Sequence, residues 1–283
     1  MNDSKPLFSL SNLHFFKIAL IVLSFGLISG CANQEMLKAQ PALVEQNTAD
    51  LLSERPDTTD VYYVGFAADS TLKVFSNEVN YAKQLLDDQF GTKGRSVVLL
   101  NNSQTAFEIP MATHHNLDET LRSVSDVMDK EEDMLFVFLS GHGTFDGDEY
   151  GLYINYGPNH KGMITPLALK KSLSKTNVKW KVLVVSACFS GRFADEIADT
   201  HTLVITASDP NNPSFGCSAA DEYTYFGEAY FVSQLPKTMS LIKAFEAAKK
   251  EITEKEDAMG YPNSNPTMVA SQPIEDKLSE INY

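Results

Sequence analysis

The sequence predicts a doubly wound α/β domain, a mostly parallel sheet with helices on both faces, and three observations carry that expectation. Short apolar runs recur at Val61–Phe66, Val97–Leu100, Met134–Leu139, Val182–Val185 and Leu203–Ala207. The run Met134-Leu135-Phe136-Val137-Phe138-Leu139 does not alternate with polar residues, as expected of a strand covered on both faces. Between the runs, apolar residues return at helical spacing.

In chain order, a polar stretch with Lys5 and Lys17 precedes an apolar run, Ile18–Ile28, and then Ser29, Gly30 and Cys31. This is the layout of a signal peptide. Eleven helical residues reach about 16 Å, against a bilayer core of about 30 Å, so a retained transmembrane helix is the weaker reading. Leu27-Ile28-Ser29-Gly30-Cys31 resembles the bacterial lipobox. That resemblance implies a diacylglycerol on Cys31, cleavage before it and, with Ala32 next in a Gram-negative source, an outer-membrane lipoprotein facing the periplasm or exterior. An ordinary secretory signal ending in an unrelated cysteine is the alternative.

Residues 31–60 are polar and interrupted by Pro41 and Pro56, and read as a tether with a short helix over Ala42–Ser53. The domain is expected over residues 61–255. Its first helix follows from Val74, Val79, Ala82, Leu85, Leu86 and Phe90, and its second from Leu117, Leu121, Val124 and Met128, with Asn116 and Glu119 forming a capping box. Further helices are expected over Pro166–Ser174, Phe226–Leu235 and Leu241–Glu254, and a loosely structured tail over 256–283.

Composition narrows the function classes. With 37 acidic and 23 basic residues in 283, the formal charge is −14, which repels nucleic acid, so no such partner is expected. Three cysteines, Cys31, Cys188 and Cys217, make neither a disulfide scaffold nor a zinc site. No metal and no cofactor is called for. His114, His115, His160 and His201 read as surface residues, and Trp180 with Tyr62 and Tyr63 as packing. The acidic run Asp146, Asp148 and Glu149 reads as a solvated turn, since it lacks the full calcium-loop pattern. Cys217 is either a free structural thiol or a partner for Cys188.

Two strand ends carry chemistry. One empties into Ser140-Gly141-His142-Gly143, the other into Ser186-Ala187-Cys188-Phe189-Ser190-Gly191. A thiol needs a base to become a nucleophile, and a neutral imidazole can take its proton and return one to a leaving amine. The glycines let a substrate backbone approach, and the N–H groups of Gly143 and Cys188 could bind a developing oxyanion. The chemistry implied is acyl transfer.

These motifs resemble the legumain-like cysteine peptidases of the caspase and legumain clan, over about residues 61–250. Val64-Gly65-Phe66-Ala67, Gly94-Arg95-Ser96, Ser214-Phe215-Gly216-Cys217-Ser218 and Thr224-Tyr225-Phe226-Gly227-Glu228-Ala229 are similar to bacterial members. The resemblance implies Cys188 as nucleophile, His142 as general base and acid, Gly143 as oxyanion donor, and Ser186, Ser214 and Glu228 around the substrate pocket. It also implies a cysteine endopeptidase acting on peptide or protein substrates. A related transamidase, or an inactive binding or scaffolding lipoprotein on the same fold, is the alternative. The legumain glutamate two residues before the nucleophile is replaced by Ser186, and the family's Arg-His pair has no counterpart in Gly65–Leu72, so asparaginyl specificity is not carried over. With Glu228 as an acidic wall lacking a cation, the expectation is a basic or neutral polar residue before the scissile bond and exclusion of aspartate; the alternative is that Glu228 points into solvent or pairs with a lysine elsewhere. The sequence is silent on oligomeric state.

Overall fold

The computed structural model describes residues 34–157 and 160–281; the signal segment and Cys31 lie outside the described residues. By internal contacts the chain divides into Met1–Pro41 and Ala42–Tyr283. Residues 34–48 form helix α1, where the sequence reading placed a tether with a helix only from Ala42. Its side-chain amides bond back one turn, Gln40 to the Met36 carbonyl and Asn47 to that of Leu43, each at 2.9 Å.

The remaining elements are β1 (Val61–Ala67), α2 (Lys73–Gln89), β2 (Ser96–Leu100), α3 (His114–Asp126), β3 (Met134–Ser140), β4 (His142–Asp146), β5 (Glu149–Asn155), β6 (Lys161–Ile164), α4 (Pro166–Lys175), β7 (Trp180–Ser186), α5 (Gly191–Ile197) and β8 (Thr202–Thr206). They continue with α6 (Tyr225–Gly227), a π-helical turn over Glu228–Gln234, α7 (Leu235–Thr238), α8 (Leu241–Met259), β9 (Thr267–Val269) and α9 (Gln272–Glu280). The main sheet has the order β2-β1-β3-β7-β8-β9. Its first five strands are parallel, and β9 pairs antiparallel with β8.

Two cores explain why the strands read as unbroken apolar runs. Tyr63, Phe136, Phe138, Val184 and Ile205 face α2, the 225–238 helices, α8 and α9. Their neighbours Tyr62, Val64, Val137, Leu183 and Val204 face α3, α4, α5 and the small sheet. Successive strand side chains thus alternate between two buried faces, which is the doubly wound arrangement expected. Tyr62 and Tyr63 are fully buried packing residues whose hydroxyls donate to the carbonyls of Leu52 and Val79, each at 2.9 Å.

Three parts differ from the sequence reading. Strands β4, β5 and β6 form a separate antiparallel sheet, whose first turn is the acidic run Asp146 to Glu149 around Gly147, at φ 59°. The segment read as a loose tail supplies β9 at the sheet edge and α9, whose Ile274 is fully buried. Finally, Thr113 rather than Asn116 caps α3: its side chain accepts the Asn116 N–H at 3.1 Å, and Glu119 pairs with Arg122 at 2.7 Å. Asp60, at the amino end of β1, gathers Arg55 at 2.7 Å and Arg95 at 3.4 Å. Arg95 thus serves an ion pair at the edge of the sheet opposite the strand ends that lead into His142 and Cys188.

Candidate active site

The register of the sheet builds the site. Strands β3 and β7 are parallel neighbours in which Ser140 pairs with Ser186, and the Gly141 N–H donates to the Ser186 carbonyl at 3.1 Å. His142 and Cys188 therefore each stand two residues beyond one paired position, at the carboxyl edge of the sheet, where α/β proteins of this kind bind their ligands.

Each glycine of the first motif answers a close approach. A Cβ on Gly141 would come within 2.7 Å of the Ala68 Cβ, and one on Gly143 within 1.9 Å of the Cys188 carbonyl oxygen. That carbonyl also accepts the Tyr150 hydroxyl at 2.8 Å. The small sheet thus locks the His142 segment against the Cys188 turn. Burial pushes the Tyr150 hydroxyl far up, Cys188 adding to the shift and Arg192 opposing it, which keeps Tyr150 a neutral donor.

The second motif turns the chain from β7 into α5. Phe189 takes φ 58°, a strained conformation for a bulky residue directly after the cysteine. Ser190 and Ser208 exchange reciprocal bonds, each hydroxyl accepting the other's N–H at 3.1 Å, which pins this turn to the end of β8. Gly191 packs on Pro210, where a Cβ would come within 2.6 Å.

Cys188 is half-buried, and its sulfur lies against Ser214: the Ser214 N–H donates to it at 3.3 Å, and the thiol donates to the Ser214 carbonyl at 3.4 Å. Among the described residues, His142 is fixed by Phe75 of α2, edge-on at 4.9 Å between ring centroids, rather than by a hydrogen bond to the thiol. Catalytic pairs commonly tighten only when substrate is bound. Aromatic groups flank the turn, Phe145 packing against Phe189 at 5.5 Å and Phe215 stacking on Tyr261 at 4.7 Å. Cys217 is free, as is Cys188, and burial, followed by the charge of Cys188, pushes its thiol up.

Two of the expected pocket residues are placed differently. Ser186 is 1% exposed, because it still belongs to β7 on the face that α2 covers, and its hydroxyl lies 3.1 Å from that of Thr224. Glu228 is not an acidic wall without a cation: its half-exposed carboxylate pairs with Lys255 of α8 at 2.6 Å. A carboxyl with no ion pair among the described residues stands beside the ends of β3 and β7: Glu78 of α2, which the sequence reading passed over. It accepts the hydroxyls of Ser140 and, at 2.7 Å, of Thr224, which links it on to Ser186. The signal was a glutamate four residues from both Val74 and Ala82, inside the apolar stripe of a helix.

Burial raises the Glu78 carboxyl to about 7, against the opposing effect of its hydroxyl donors. The folded value lies above the unfolded one, so the protonated carboxyl's stabilising contribution is fully present below about pH 4.5 and is lost as pH rises through about 7. Glu78→Gln should flatten this part of the stability curve by about 3 kcal/mol between pH 5 and 8. Denaturant midpoints of both proteins across that range measure it, and parallel curves would refute it.

A thiol and an imidazole presented from the carboxyl ends of neighbouring parallel strands define the class of α/β protein this is. A model of the peptidase C13 family matches residues 115–276, more than half of the chain, and the chain belongs to that family. His142 and Cys188 both lie within the match. At the family level its activity is that of a cysteine peptidase or transamidase, with peptide or protein substrates. No curated protein matches the chain.

Proposed function

We propose that the protein is a cysteine endopeptidase tethered to the bacterial envelope through a lipid on Cys31, with Cys188 as nucleophile and His142 as general base and acid. The observation that carries this reading is the pairing of Ser140 with Ser186, which sets the two chemical side chains equally far past adjacent strand ends. His142 takes the Cys188 proton, and the sulfur attacks the scissile carbonyl carbon. The carbonyl electrons move to oxygen, which the N–H groups of Gly143 and Cys188 stabilise. On collapse the C–N bond breaks, His142 returns the proton to the departing amine, and a thioester remains. Water, deprotonated by His142, then attacks the thioester and releases the acid and the thiol. The contact of Ser214 with the sulfur supports its assignment to the pocket for the residue before the scissile bond.

The test is incubation of the purified chain with a mixed peptide library. Internal cleavage that Cys188→Ala abolishes supports the reading. Products joined to an added amine in place of hydrolysis would make it a transamidase, and no Cys188-dependent product would reject both. Labelled fatty acid should enter the protein in a Gram-negative host and fail to enter Cys31→Ser; equal labelling would remove the anchor.

A further inference from the structure

The acyl-transfer chemistry leaves a buried carboxyl beside the ends of β3 and β7 without a task. Glu78 is 1% exposed, and among the described residues it forms no ion pair. Its carboxyl is held instead by the hydroxyls of Ser140 and Thr224, and the Thr224 hydroxyl in turn meets that of Ser186 at 3.1 Å. The titratable groups facing it are Tyr63 of β1, whose hydroxyl donates to the Val79 carbonyl, and the Cys217 thiol.

The partners are placed in an ordered way. Ser140 is two residues before His142 and Ser186 is two before Cys188, and these serines are paired across β3 and β7. Thr224 starts α6, and its hydroxyl also caps that helix by accepting the Gly227 N–H at 2.9 Å. A Cβ on Gly227 would come within 2.0 Å of a Glu78 carboxyl oxygen, so the glycine makes room for the carboxyl. One turn earlier on the same face of α2, Phe75 braces the His142 ring.

Resting on the dyad reading above, we propose that Glu78 is a positioning residue for the reaction. From α2 it ties together the ends of the strands that present His142 and Cys188, while Phe75 sets the imidazole. An isolated carboxyl is costly to bury, and ordinary packing at this point would be met by an apolar residue or an amide. One carboxyl oxygen takes Ser140 and the other takes Thr224, which passes the link to Ser186, whereas an amide presents a single acceptor oxygen; the carboxyl can thus hold three chain segments in one geometry.

The experiment measures kcat, KM and the pH dependence of kcat for the wild type, Glu78→Gln, Gly227→Ala and His142→Ala on one peptide substrate. Gly227→Ala keeps the carboxyl but displaces it from Thr224. Glu78→Gln is expected to lower kcat by about tenfold to a hundredfold, as misplacement of catalytic groups does, while KM stays nearly constant. It should also lack an inflection near neutral pH that the wild type shows. Gly227→Ala should lower kcat in the same direction, and it carries the test alone if Glu78→Gln does not fold. Wild-type kcat and an unaltered pH profile in the folded variants would overturn the proposal while His142→Ala is inactive and the dyad stands. Activity retained in His142→Ala would overturn both.

Discussion

Cys188→Ala and His142→Ala should each reduce kcat/KM by about 10⁴-fold or more, and the double variant should be no worse than the poorer single one, because the two groups act as a unit. The expectation follows from the division of labour across β3 and β7. Without the imidazole nothing takes the proton from the sulfur, and the base without the sulfur has no nucleophile to activate. Neither substitution removes a core side chain, since His142 and Cys188 are both only partly buried, so melting temperatures should change little. Additive losses in the double variant would show that His142 works independently of Cys188.

The second large effect is expected at Gly143, which a Cβ would drive into the Cys188 backbone: 1.9 Å from its carbonyl oxygen, 2.9 Å from its carbonyl carbon and 2.9 Å from the Tyr150 hydroxyl. All three are held in place, the carbonyl by Tyr150 and Tyr150 by its burial against Phe193, so the strain falls on the turn that carries the thiol. Gly143→Ala should therefore lower kcat by about a hundredfold, with a stability loss of about 1–3 kcal/mol. Tyr150→Phe, which deletes only the hydroxyl, should lose less than Gly143→Ala. Steady-state kinetics and denaturant titration of both variants measure this, and an active Gly143→Ala would mean that the small sheet does not fix the Cys188 turn.

Much of this arrangement was legible in the sequence because the central strands are buried on both faces, so Met134 to Leu139 and Val182 to Val185 leave a plain apolar trace. The antiparallel β4-β5-β6 leaves a weaker one: β4 alternates His142, Thr144 and Asp146 with glycine and phenylalanine on a partly exposed hairpin, and only Tyr150, Leu152 and Ile154 of β5 keep a buried period of two. Strand β9 is three residues long, and its pairing with β8 some sixty residues earlier has no local signal. At the site, His142 and Cys188 were visible as polar groups just past apolar runs. Glu228 misled because its partner Lys255 comes 27 residues later and is brought to it only by the packing of α8. Glu78 was visible in principle, but the carboxyl's role depends on Ser140, Ser186 and Thr224, which converge only in three dimensions.

The central claim is that His142 activates Cys188, and the most direct measurement is the rate at which iodoacetamide alkylates each cysteine at neutral pH, followed by peptide mass spectrometry. Cys217 is the internal reference, a free thiol that burial pushes up. Cys188 should react about tenfold or more faster than Cys217 in the wild type, and His142→Ala should bring it down to the Cys217 rate. Equal rates in the wild type, or a fast Cys188 that His142→Ala leaves unchanged, would contradict the assignment.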